Sequence, residues 1–137
     1  MNSTQSLATV SLAVEPETIR AYAALTDDFN PIHLDPVFAA TTPMGGVIAH
    51  GTMSICLLWQ MLEHNLGAAA FAAPDLDVRF LKPVRAGEVL TAGGALSVGD
   101  PCVYDVWVRG TDGGDRVVGT LRLAPRTHVT ATEGGTQ

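Results

Sequence analysis

Across residues 36–62 the sequence holds no aspartate, glutamate, lysine or arginine. A membrane span is still not expected there. Pro36, Pro43, Gly45, Gly46 and His50 break up the run, and only the part after Gly51 has a helical pattern. That part falls short of the roughly 20 apolar residues a bilayer crossing takes. Cysteine is scarce as well. Cys56 and Cys102 have neither metal-ligand spacing nor the density of a disulfide scaffold, so both are expected to be buried free thiols. Basic residues are few, 8 Lys and Arg against 14 Asp and Glu. The resulting charge of −6 repels a phosphate backbone and argues against nucleic acid as a partner. It does not exclude an anionic small molecule, because local basic groups override the mean field. The first six residues carry no basic region and no apolar core. No signal peptide is expected, and the protein is read as soluble and cytoplasmic.

What is present is an apolar-rich chain, 47% hydrophobic, long enough to bury a core without disulfides or metals. Residues 8–14 alternate as a first strand, and Glu15-Pro16-Glu17-Thr18 starts a short helix ending near Leu25. Asn30-Pro31 stops any helix there, because the residue before proline is pushed out of the α region. Asp35-Pro36 then reads as a cap and first turn of another short helix. Residues 51–66 are helical in pattern but apolar all round, the mark of a surrounded core helix. Glu63, His64 and Asn65 mark its exit to solvent and Gly67 its cap. Strands follow at 76–81, 88–98, 102–109 and 116–123, separated by Gly- and Pro-containing turns. One strand, a buried helix and a run of antiparallel strands make an α+β layout in which a sheet wraps a helix. Residues 1–124 are read as one domain and 125–137 as a flexible C-terminal tail.

The chemistry concentrates in Thr26-Asp27-Asp28-Phe29-Asn30-Pro31-Ile32-His33-Leu34-Asp35 and in His50-Gly51. The first stretch packs three carboxylates, an amide and an imidazole into ten residues. Each has an ordinary reading too: Asp28 could cap a turn, His33 could pack in a loop, and Asn30 could make an Asx-turn. Asp35 reads as a helix cap, and His50 either lies near the site or bonds to backbone. Gly51 opens a helix, where backbone N–H groups are left free for a ligand. An acid/base pair and an anion-stabilising helix end are what a reaction passing through an enolate requires. No metal is expected from His33, His50 and the aspartates, since no ligand spacing appears.

From Tyr22 to Ala39 the sequence resembles the hydratase motif of the MaoC-like, (R)-specific enoyl-CoA hydratase family. The motif runs aromatic, Ser/Thr, a variable residue, Asp, any residue, Asn-Pro, an aliphatic, His. Asp28 and His33 fall on its catalytic pair, Asn30 and Pro31 on its invariant pair, and Gly51 on the glycine whose N–H forms the oxyanion hole. Phe80-Leu81-Lys82-Pro83-Val84-Arg85-Ala86-Gly87 is similar to the family's strand–turn motif, so the resemblance reaches from Ala8 to Leu123. Asp27 stands where glycine is most usual, and Trp59 where a small residue would be expected beside the acyl pocket.

The resemblance implies a hot-dog fold, a curved antiparallel sheet around a long helix. It also implies reversible hydration of a trans-2-enoyl thioester to the (R)-3-hydroxyacyl thioester. Asp28 would be the base, His33 its partner, the Gly51 amide the oxyanion donor and Asn30 a support. Trp59 would shape the acyl pocket, tilting it toward short or unusually shaped acyl groups, and Lys82 and Arg85 would meet the phosphates of a CoA or carrier-protein arm. No redox cofactor or metal is implied, and a homodimer or larger homo-oligomer is expected, with the site at the seam. A rival reading is a non-catalytic acyl-thioester-binding partner subunit. Thioester hydrolysis is disfavoured because residues 52–61 carry no acid.

Overall fold

The computed structural model describes residues 6–125. Strand β1 (Val10–Ala13) leads into helix α1 (Pro16–Thr26) and two short helices, α2 (Pro31–Leu34) and α3 (Pro36–Ala40). The long helix α4 (Gly51–Leu66) and a 3-10 turn (Gly67–Phe71) precede strands β2 (Asp75–Phe80), β3 (Val89–Leu96), β4 (Val103–Arg109) and β5 (Asp115–Arg122). The strands form one antiparallel sheet in the order β1-β3-β4-β5-β2. The α+β hot-dog architecture expected from the sequence is therefore the one observed, with every strand end within two residues of that read from the alternation. The C-terminal tail expected from residue 125 lies, beyond Pro125, outside the described residues.

Helix α4 packs across the sheet. Met53, Leu57, Leu58, Met61 and Leu62 meet Leu90 and Ala92 of β3, Val106 and Val108 of β4, and Val117 and Leu121 of β5 in one core. Burial of this kind contributes about 25 cal/mol per Å² of apolar surface, and it fixes where both ends of α4 must lie. The helix is not surrounded, however. Thr52, Cys56 and Gln60 face outward, because the sheet covers one side only. The expectation of a buried Cys56 thiol is corrected accordingly: it is exposed, and Cys102 is half-buried.

Asn65, read as an exit to solvent, has a different task. Its Oδ1 accepts from the Ala8 N–H, and its Nδ2 donates to the Ala8 and Met61 carbonyls, each at 2.8 Å. One amide thus ties the segment before β1 to the end of α4. Replacing it with alanine is expected to lower stability by about 1–2 kcal/mol, the usual cost of a few part-exposed hydrogen bonds. The urea midpoint should fall with an unchanged m-value; an unmoved midpoint would remove this role.

On the outer face, the Arg109 guanidinium lies 3.8 Å over the Trp107 ring. A Cβ on Gly93 would run into that ring, so the indole lies flat on the glycine of the neighbouring strand. At the β4–β5 turn the buried Arg116 holds Glu88 and Asp112, each at 3.0 Å. The Gly114 N–H, donating at 2.8 Å, and Arg116 keep the Asp112 carboxyl below the usual range.

Candidate active site

Helix α1 ends at Asp27, whose backbone is left-handed (φ 55°, ψ 39°). This explains why glycine is usual there in the resembled motif. Aspartate is among the few other residues that enter this region readily. The turn is closed by the Asp28 N–H donating to the Ala23 carbonyl at 3.0 Å. Asp28 then leaves the helix with its side chain exposed, its Oδ1 accepting from the Asn30 N–H at 3.2 Å.

Asn30-Pro31 was read only as a stop; it is also a start. The Asn30 Oδ1 accepts from the Ile32 N–H at 3.1 Å, capping α2 with Pro31 at its first position. Asp35 repeats the device for α3, accepting from the Val37 and Phe38 N–H groups. The expectation that Asp35 is a cap is met.

Helix α2 presents His33 to the extended segment that enters α4. The Ile48 N–H donates to the Ile32 carbonyl at 3.2 Å, and His33 Nδ1 lies 2.7 Å from the Ile48 carbonyl. A carbonyl only accepts, so Nδ1 carries a proton, and in the neutral form of the ring the lone pair is on Nε2. The other side of this segment is held by a β-bridge between Ile48 and Arg85 and by the Ala49 N–H on the Val84 carbonyl at 2.8 Å.

His50 lies beneath this arrangement, 3% exposed. Its Nε2 is 2.9 Å from the Asp28 backbone carbonyl and so donates to it. Its ring stacks on His33, with centroids 3.8 Å apart and planes 25° from parallel, and meets the edge of Tyr22 at 5.0 Å. The Tyr22 hydroxyl donates to Thr52 Oγ1 at 2.7 Å, and burial raises its pKa above the ordinary phenol value, keeping it neutral. Gly51 follows His50 as the first residue of α4, where N–H groups have no partner within the helix.

One carboxylate oxygen of Asp28 and one ring nitrogen of each of His33 and His50 lie within 4.8 Å of one another. Two acceptors that far apart can share one water, since each hydrogen bond spans about 2.8 Å. An ion is a poorer fit. Imidazole lone pairs lie in the ring plane, and near-parallel stacked rings do not aim theirs at one point.

Two hollows flank the cluster. A cleft of about 410 Å³ is lined by His33, Leu34 and Pro16 together with Arg20 and Arg85. A groove of about 320 Å³ between α1 and α4 is lined by Tyr22, Leu25, Met53, Cys56, Leu57 and Gln60. Of the residues expected to bind substrate, Arg85 reaches the first cleft. Lys82 does not line it. Trp59 lines neither hollow. It stacks on Phe71 with centroids 5.4 Å apart, because it shares the i, i+4 row of Ile55 rather than the face of Met53, Cys56 and Gln60. Sequence reasoning missed Arg20 and Tyr22, although Tyr22 is the aromatic that opens the motif.

An antiparallel sheet packed on one long helix, with an acid and an imidazole gathered at the helix entrance, defines a protein of the hot-dog class. Residues 2–101 match the MaoC like domain, and the chain belongs to that family. It is 39% identical over 74 residues to the (R)-specific enoyl-CoA hydratase of Aeromonas caviae, covering 54% of this chain and 55% of that protein. It is 34% identical over 77 residues to the 3-hydroxybutyryl-CoA dehydratase of Methylorubrum extorquens, covering 56% and 49%. The chain thus spans about half the length of these curated relatives. Among solved structures, the unliganded R-hydratase PhaJ1 of Pseudomonas aeruginosa superposes with a TM-score of 0.73 at 26% identity, covering 89% of this chain and 81% of that one.

Proposed function

We propose that the protein is an (R)-specific enoyl-thioester hydratase, working reversibly on acyl-CoA or an acyl-carrier thioester. The observation that carries this reading is the approach of the Asp28 carboxylate and a His33 ring nitrogen to within 4.8 Å, a separation that one water can bridge. Water approaches C3 with one hydrogen on Asp28 and the other on the His33 Nε2 lone pair. As the oxygen bonds to C3, Asp28 takes the first proton and negative charge moves to the thioester oxygen. The Gly51 amide, at the positive end of a 16-residue helix, stabilises that charge. The Asp28 carboxylic acid then returns its proton to C2, and the enzyme is unchanged. Both additions come from one side of the double bond, as a syn hydration requires.

The arginine-lined cleft beside His33 suits the phosphates of a CoA or carrier arm. The apolar groove at Tyr22 and Met53 suits an acyl group. Exposed Leu25, Phe29 and Phe80, 57% exposed in the last two cases, and the edge of β2, unpaired among the described residues, support a homodimer that closes over the site. Among the described residues no helix is long and apolar enough to cross a membrane.

The test is the absorbance of the enoyl-thioester band of crotonyl-CoA, followed by chiral analysis of the product. Loss of the band with formation of the (R)-3-hydroxyacyl thioester is expected. Silence across a panel of short, long and branched enoyl-CoAs would overturn the reading in favour of a binding subunit.

A further inference from the structure

We infer that His50 is a positioning residue that sets the alignment of Asp28, His33 and the Gly51 amide; this rests on the hydratase reading above. His50 occupies the N-cap position of α4, where Ser, Thr, Asp and Asn are favoured, yet its side chain makes no capping hydrogen bond. Capping does not account for an imidazole here. Filling space does not account for it either. The ring is buried with its Nδ1 lacking any hydrogen-bond partner among the described residues, an energetic cost that an apolar side chain would avoid.

The ring's contacts supply the reason. Nε2–H holds the backbone carbonyl of Asp28, the residue that carries the base. One face supports the His33 ring, and Tyr22 closes against it edge-on. The next residue in the chain is Gly51. Three reacting groups, drawn from α1's end, α2 and α4, are therefore referenced to a single side chain.

Without His50 each partner loses a restraint the rest of the fold does not replace. His33 keeps its Nδ1 bond to the Ile48 carbonyl but can swivel about it. Asp28 keeps its N–H bond to Ala23 but its carbonyl goes free in an exposed loop. A misplacement on the order of 1 Å at such a site can cost about 100-fold in rate.

The experiment compares wild type with His50→Ala, His50→Phe and His50→Gln. Phenylalanine keeps a ring under His33 and loses the donor; glutamine keeps a donor for the Asp28 carbonyl and loses the stack. With crotonyl-CoA, kcat of His50→Ala is expected to fall about 100-fold while KM stays within a few-fold, and each of the other two variants to recover part of the loss. A kcat unchanged in His50→Ala, or a loss that appears equally in KM, would overturn the inference.

Imidazole nitrogen–proton correlation spectra supply the second measurement. In wild type His33 should show the Nδ1–H form with restricted averaging, and His50 the Nε2–H form. In His50→Gln and His50→Phe, which preserve bulk and hence the fold, the His33 signals should shift and average. An unaltered His33 signature in both would overturn the inference. The spectra need no substrate, so positioning by His50 can fail while hydration stands, or stand if hydration fails.

Discussion

Replacing Asp28 with asparagine is expected to slow enoyl-thioester hydration by about 10²–10⁴-fold, the range that a positioned general base contributes. The substitution is close to isosteric. The Asn30 N–H that Asp28 Oδ1 accepts would still find an amide oxygen, and the side chain is exposed, so packing is untouched. What is lost is the ability to take a proton from water and hand it to C2. Thermal unfolding should coincide with that of the wild type, while the initial rate of band loss collapses. A rate within tenfold of wild type would mean that another group takes the proton, and the assignment of Asp28 would have to be abandoned.

The second large effect is expected at Gly51, where a proline would delete one hydrogen-bond donor and little else. Proline is favoured at the first position of a helix, and Gly51 holds that position in α4. The preceding residue must be extended, and His50 already is, with φ −62° and ψ 134°. Gly51→Ala is the control, since it keeps the N–H while adding the same first carbon. That carbon would sit 3.3 Å from Phe80 Cε1, at the edge of an exposed ring that can move. Alanine should therefore leave kcat within a few-fold, and proline should cut it by about 10²–10³, the loss typical of one oxyanion donor. Equal rates in the two variants would show that the Gly51 amide does not stabilise the enolate.

Much of this was legible in the chain. The glycine after His50 and the glycine after Leu66 bracket α4 at the observed residues, because helix ends are set by local backbone chemistry. Strands emerged for the same reason: alternation and turn glycines are local signals. Asp28, His33 and Gly51 stood out through spacing, and the structure brings Asp28 and His33 within a distance that one water can bridge. Helix α2 was missed through reading Asn30-Pro31 as a stop only, although Asp35-Pro36, the same pairing, was read as a start.

Other features depend on what meets what across the fold. His50 and Tyr22 face each other from 28 positions apart, and Asn65 reaches Ala8 from 57. Trp59 was placed beside the acyl pocket by the family resemblance, whereas its direction is set by the turn of the helix and by Phe71. A helix apolar all round says that cover is needed, not on which side one chain supplies it. That is why Cys56 was expected inside and lies outside.

The extended segment at residues 47–50 is a strip one strand wide. Ile32 and His33 bond to one side of it, and Val84 and Arg85 to the other. Its docking requires the loop between β2 and β3, which is made some thirty-five residues later in the chain. On refolding, α4 can form early from local contacts, but closing so long a loop is slow by comparison. The Asp28–His33 pair is therefore completed by a contact distant in sequence rather than by the helix it adjoins. Regain of activity on refolding is expected to lag the helical signal; coincident phases would show that the pair forms together with the helix.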